Sequence, residues 1–352
     1  AHSSLSTGSG TPEEVVHEAN AANQDFLFLT DLNLFTYQPG LMGYSDKALV
    51  FRAGEYGYLD SHLLFYDMIK RRDLKTLGQS QVLFADLLSQ KSKDVDEGLL
   101  VLAHPFKRGA SWTGNYPDGL DGIEIINLKE VWEKSWQNSR LSFFWSIFIY
   151  PFNPRLALLR LYQDSEDELQ LLDTLQKTHP VVALAGTDAT AKPISLGVTT
   201  WYFPTYRNSF ELTSNHVLLQ SELTGDSKAD GSKVFQALKE GQSYVSVDLL
   251  GDPKGFFVEM RDNRSRYTIG STLKLRPDLK LYVHLPRKPR VPYEVAVFKD
   301  GNHYMSSNSQ ETTITIHNTG VYRVVVRVIP TLPLPDGKRW LPWIYTNSFY
   351  VR

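Results

Sequence analysis

The chain has 352 residues, of which 42% are hydrophobic and 22% charged, with a net charge of -2 and no cysteine. That length asks for more than one ordinary core, and the near-neutral charge gives no reason to expect nucleic acid or an anionic membrane as the main partner. Without cysteine there are no disulfides, no thiolate nucleophile and no cysteine-ligated zinc, while cytoplasm and periplasm both stay open.

Taken in chain order, Thr11-Pro-Glu-Glu14 predicts a helix start, with Thr11 as cap, Pro12 in the first turn and Glu14 closing a capping box. Phe26–Leu29 is a short apolar run of the kind that forms a strand covered on both faces, and the pattern returns at Leu99–Leu102, Ile123–Ile126 and Val181–Ala185. Helical segments are expected between them at Gln79–Gln90, Glu130–Asn138 and Ser165–Lys177, the last with a second capping box at Ser165 and Glu168. Apolar strands alternating with helices predict parallel βαβ units, hence an α/β domain over residues 1–252. From about Gly255 the texture changes to alternating β-branched runs at Lys280–His284, Tyr293–Phe298, Thr312–Ile316, Tyr322–Val328 and Ser348–Val351. These predict an antiparallel β-sandwich over residues 253–352.

Polar groups follow the apolar strands directly. Leu102 leads into Ala103-His104-Pro105, Ile123 into Glu124, Ala185 into Gly186-Thr187-Asp188, and Leu29 into Thr30-Asp31-Leu32-Asn33. In barrels of parallel strands such groups share one face, and histidine mixed with carboxylate suits Zn, Mn or Fe.

These residues resemble the PHP (polymerase and histidinol phosphatase) superfamily of metal-dependent phosphoesterases. The family opens with His-x-His-Ser/Thr, which His2-Ser3-Ser4-Leu5-Ser6-Thr7-Gly8 matches from the second histidine onward. The first would fall one position before Ala1, outside this sequence. Gly54-Glu55, His62, Ala103-His104-Pro105 and Asp121-Gly-Ile-Glu124-Ile-Ile-Asn127 follow in the family's order. The resemblance covers about residues 1–250 and implies a distorted seven-stranded (β/α) barrel. Two family histidines are missing, where Leu32 and Thr190 stand instead. The resemblance then implies two divalent ions, Mn, Zn or Fe, with the family's third ion lost. His2 and Asp188 would hold one, His62 and His104 the other, and Glu55 would bridge them, with Asp31 and Glu124 in support.

Such a centre would hydrolyse a phosphate mono- or diester through a metal-activated hydroxide. Glu55 and Asp188 would be catalytic, and Lys107 and Arg108, with Lys192 supporting, would replace the lost ion's charge. Those three cations also read as ordinary solvated surface charge. The alternative is a catalytically decayed relative that acts as a binding or scaffold module for a phosphorylated or lipid-like ligand. The expected partner is a small-molecule or lipid-like phosphoester, with no nucleic acid and with the oligomeric state undetermined by sequence.

One segment, about 130–163, is rich in large apolar side chains, including Trp132, Trp136, Phe143, Phe144, Trp145 and Phe148. It reads either as two packed helices, the second starting at Asn153-Pro154, or as an interfacial surface making peripheral membrane contact. No apolar run reaches the roughly 18 residues of a spanning helix. In the sandwich, His284, His303 and His317 read as surface or packing residues, while Trp340, Trp343 and Tyr345 suggest a carbohydrate or docking face. A Trp343-Ile-Tyr-Thr-Asn347 segment loosely matches some bacterial PHP proteins. The missing cysteines and the appended β domain make a periplasmic or exported protein the preferred expectation.

Overall fold

Thr11 starts the first helix, α1 (Pro12–Ala21), with a reciprocal capping box. Its hydroxyl accepts from the Glu14 backbone N–H at 3.2 Å, and the Glu14 carboxylate accepts from the Thr11 N–H at 2.7 Å. This computed structural model describes residues 1–34, 41–58, 61–67, 98–117, 119–196, 199–332 and 336–352. The helix expected over Gln79–Gln90 lies outside the described residues. Two compact units divide the chain. The first comprises Ala1–Arg140, Ala185–Glu211 and Gln220–Gln236; the second comprises Leu141–Leu184, Leu212–Leu219 and Ala237–Arg352. Neither unit begins or ends at the boundary near Asp252-Pro253 that the change of texture suggested.

In the first unit, Val15, Val16 and Ala19 of α1 pack with Leu27 and Leu29 of β1 (Phe26–Leu29), and with Val50, Tyr206 and Phe210. Each fully buried Val or Leu there contributes about 1.5–3 kcal/mol. Strands β2 (Gly43–Ser45) and β3 (Ala48–Arg52) complete a three-stranded sheet in which β3 runs parallel to β1 and antiparallel to β2. A five-stranded sheet has the order β4 (Gly54–Tyr58), β5 (Ser61–Asp67), β6 (Gly98–Leu102), β7 (Gly122–Asn127) and β8 (Val182–Gly186). Strands β9 (Lys192–Leu196) and β10 (Thr199–Phe203) form a separate antiparallel pair.

This arrangement corrects the expectation of an α/β domain built as a distorted seven-stranded (β/α) barrel. The described strands lie in separate sheets, β4–β5 and β5–β6 pair antiparallel, and strand outweighs helix among the described residues. The physical reason is visible at β6 and β7. Both are buried on every residue, and they do pair in parallel, Val101 with Gly122 and Leu102 with Ile123. An apolar run reports burial on two faces, but it specifies neither the direction of its neighbour nor closure of the sheet.

In the second unit, one sheet includes Ser243–Ser246, Tyr293–Lys299, Gly320–Val328, Leu341–Thr346 and Phe349–Val351. Another orders Arg266–Thr268, Phe257–Arg261, Lys280–His284 and Glu311–Thr315, antiparallel throughout. Their inward residues share one core, with Met260, Leu281 and Ile314 from the smaller sheet meeting Val297, Val324 and Phe349 from the larger. Trp343 and Tyr345 are core residues of this unit rather than a carbohydrate face. Trp343 donates its indole N–H to the Gly251 carbonyl at 2.9 Å, and Tyr345 is 1% exposed. Asn347 accounts for the end of the same segment. Its side chain accepts from the Ala183 N–H at 2.6 Å and donates to the Ser243 carbonyl at 3.1 Å, so it bridges two backbones.

Helix α2 (Leu128–Asn138) belongs to the first unit, and α3 (Arg140–Ile149), α4 (Pro154–Leu161) and α5 (Glu166–Leu175) follow it. Asn153 caps α4 by accepting from the Leu156 N–H at 3.1 Å. The capping box expected at Ser165 does not form, because the Ser165 side chain makes no cap hydrogen bond.

Candidate metal centre

Glu55 is the second residue of β4, and its carboxylate faces three imidazoles. Oε1 lies 2.7 Å from His62 Nδ1 and 3.3 Å from His104 Nε2, while Oε2 lies 3.0 Å from His2 Nε2. His2 Nε2 is also 2.9 Å from Asp188 Oδ1. The five side chains thus form two triads, Glu55-His62-His104 and His2-Glu55-Asp188, which share one carboxylate. Four of the five residues are buried, and only His62 is half-buried.

Each ligand is aimed by its local structure. On the β4–β5 hairpin, His62 sits directly across from Gly57. A Cβ at Gly57 would lie 2.9 Å from the His62 ring, so glycine leaves the room the imidazole needs. Asn33 clamps the same hairpin, since its amide donates to the Gly57 carbonyl at 3.2 Å and accepts from the Gly57 N–H at 3.0 Å. His104 follows β6 at φ +27°, and Asp188 follows β8 at φ +42°. Both are non-glycine residues in the left-handed region, where conformations of this kind cost about 1–3 kcal/mol and gather at functional sites.

Asp31 orders the opening loop. It accepts from the Ser3 N–H at 2.7 Å, the Ser3 hydroxyl at 2.8 Å and the Ser6 hydroxyl at 2.7 Å. The Ser6 hydroxyl lies 3.4 Å from His2 Nδ1, which leaves Nε2 to the carboxylates. A hydrogen bond on one ring nitrogen fixes which nitrogen is offered to a metal.

The Asp121-to-Asn127 motif has a structural account throughout. Asp121 accepts from the Leu100 N–H at 2.7 Å and its own N–H donates to the Leu100 carbonyl at 2.8 Å, which zips β7 to β6. Glu124 accepts from the His104 N–H at 2.9 Å and from the Asn127 amide at 3.0 Å, so it positions His104 from behind. Burial raises the Glu124 pKa, and His104 and Asn127 only partly offset this. A Cβ on Gly186 would stand 1.7 Å from Glu124 Oε1. Gly186→Ala is therefore expected to destabilise the protein by about 1–3 kcal/mol or more through overpacking, read as a lowered Tm in a thermal melt.

The predicted cations separate. Lys107 Nζ lies 3.4 Å from Asp188 Oδ2, within the site. Arg108 is exposed, and its backbone N–H donates to Glu133. Lys192 is spent on the Thr7 carbonyl at 2.7 Å. The strongest cation contact involves a residue that sequence reasoning missed. Lys129 Nζ lies 2.6 Å from Asp188 Oδ1. The signal was its position, two residues past Asn127, whose side chain caps α2 by accepting from the Lys129 and Glu130 N–H groups. Leu32, where the sequence resemblance would call for a histidine, pairs its backbone with Glu55, and its side chain has no ligand atom.

The donor set of three imidazoles and two carboxylates suits Zn, Mn or Fe. The spacing suits them too, because with bonds of about 2.0–2.2 Å two neighbouring ligand atoms stand about 3 Å apart. Among the described residues the buried His104 Nδ1 has no hydrogen-bond partner, and the side-chain hydrogen bond of this imidazole runs from Nε2 to Glu55.

Proton affinities follow the same geometry. For Glu55, burial pushes the carboxyl pKa up, but His104, His2 and His62 overcome this and hold it well below the usual range. Burial disfavours charge on His2, yet Asp188 and Glu55 raise its pKa; Glu55 and Glu124 do the same for His104. The share of Glu55 in the metal-free cluster's stabilisation is therefore present above the ordinary carboxyl pKa of about 4.3 and is lost as pH falls, whereas the imidazoles' share is fully present below their ordinary pKa of about 6.5 and is lost as pH rises through the raised values. Ions must displace those protons, so their affinity runs the other way. The gain in Tm on adding Mn or Zn is expected to grow from about pH 5 to about pH 8, and thermal melts at matched metal concentration check this.

No protein-family model matches the chain, and no curated protein does. Among solved structures the chain is similar to PsfC from Pseudomonas syringae PB-5123, with 12% sequence identity and a TM-score of 0.35 over 66% of this chain and 85% of that one.

Proposed function

We propose that the chain is a metal-dependent phosphoesterase that acts on phosphate mono- or diesters, in keeping with the PHP-like motifs of its sequence. The observation that carries this reading is Glu55, whose two carboxylate oxygens each face a separate triad. When bound, a pair of divalent ions supplies Lewis acidity toward a phosphoryl oxygen and a nucleophile at neutral pH. His62 and His104 would hold one ion, His2 and Asp188 the other, and Glu55 would join them.

The chain's own groups fit an anionic substrate. Lys107 and Lys129 both lie against Asp188, and each ammonium has hydrogens left for phosphoryl oxygens. They bring positive charge to the Asp188 side of the site. Glu124 and Asn127 hold His104 and the Lys129 turn in fixed relation, which keeps ligand and cation from drifting apart during turnover.

The test is metal analysis of the purified protein combined with hydrolysis of p-nitrophenyl phosphate and bis-p-nitrophenyl phosphate under Mn, Zn or Fe(II). Two bound ions per chain and turnover of either ester are expected. Two bound ions with no turnover of any phosphoester would remove the reading.

A further inference from the structure

Helix α3 is built inside out. Of its ten residues, Arg-Leu-Ser-Phe-Phe-Trp-Ser-Ile-Phe-Ile, the one that is buried is Ser146. Leu141 is 85% exposed, Phe148 62%, and Phe152, in the turn that follows, 81%. Phe144 and Trp145 are also exposed; Trp145 stacks on Phe148 at 5.4 Å, and Phe148 meets Phe152 at 6.1 Å. The outward rings therefore form one continuous aromatic ridge. A helix that buries its serine and shows its aromatics has an apolar face meant for something other than its own core.

The charges beside the ridge say what that is. Between Glu133 and Asp164 the sequence carries no acidic residue. Of the cations in that stretch, Arg160 is buried against Asp336 and Lys134 pairs with Glu130. Arg140 and Arg155 stand exposed, one at the start of α3 and one in α4 just past the ridge. A second copy laid face to face would set arginines near arginines with no acid in the segment to answer them. An anionic bilayer answers both features at once, since aromatic side chains enter the headgroup region while arginines meet lipid phosphates. No helix of the described residues is long and apolar enough to cross a membrane, so α3 would lie in the interface.

We propose that α3 and the turn after it dock this protein peripherally on anionic phospholipid membranes. The claim is independent of the metal centre. It is tested by flotation of the full chain with vesicles of phosphatidylcholine alone or of phosphatidylcholine mixed with phosphatidylglycerol. The wild type is expected to float with the mixed vesicles and to be released by high salt, with weaker binding to phosphatidylcholine. Trp145→Ala/Phe148→Ala is expected to lower binding about tenfold or more, with an unchanged far-UV circular dichroism spectrum showing that it folds. A wild type that stays unbound to both vesicles overturns the proposal, as does a folded double variant that floats as well as wild type. A wild type that ignores vesicles but dimerises through these residues in sedimentation would assign the ridge to a second copy and overturn it equally.

Discussion

Glu55→Gln is expected to remove both ions and to lower phosphoester hydrolysis by about a thousandfold or more, since several kcal/mol of transition-state charge stabilisation are at stake. The change is nearly isosteric, so packing within β4 survives it. What is lost is charge at the point shared by His2, His62 and His104. An amide offers one weak acceptor oxygen where the carboxylate offers two, so neither triad keeps its anionic ligand from this residue. The metal-free variant would also stop raising the proton affinity of His2 and His104 through Glu55. Elemental analysis alongside steady-state kinetics checks the result. Retention of two tightly held ions by Glu55→Gln would show that this carboxylate does not join them.

The second large effect is expected at Lys129. Lys129→Met is expected to lower kcat about a hundredfold, the scale seen when a preorganised donor to a developing charge is removed. Metal content should stay near that of the wild type, because Lys129 touches Asp188 and not an imidazole. Lys129→Arg should restore part of the rate, since it keeps the charge and changes only its shape. Measuring kcat and bound metal on the same samples separates a substrate-facing cation from one that merely aims Asp188. In the latter case metal content falls with the rate.

The site residues were more legible in the sequence than the fold around them. His104 and Asp188 stand out because each follows a short apolar run, while His2, Glu55 and His62 stand out only through the motifs they resemble, and the structure brings all five together. The hairpin that carries two of them obeys local rules, with Gly57 opposite His62. Strand direction follows no local rule. Leu99–Leu102 signals double-sided burial correctly, whereas Phe26–Leu29 alternates half-buried with buried residues; the pairing of β5 with β6 is antiparallel and the sheets stay separate. Lys129 was hidden for a similar reason, because a lysine in a helical first turn looks like solvated charge until Asp188 arrives from a distant segment. Trp343 and Tyr345 misled in the opposite direction, since aromatics near a chain end suggest a surface, and here they fill a core.

The two triads differ in how much chain they tie down. Glu55 and His62 face each other across one hairpin, but His104 stands 49 residues beyond Glu55, so that triad closes one short loop and one long one. The other triad gathers His2, Glu55 and Asp188 from three segments farther apart in sequence, and its closure removes somewhat more freedom from the unfolded chain. An ion there would act as a clasp on the first unit as well as supply the proposed chemistry. Loading should then be ordered, with the hairpin triad filling while the unit is still loose and the clasp engaging last. Chelation would undo them in reverse, so catalysis would be lost before the hairpin gives up its ion.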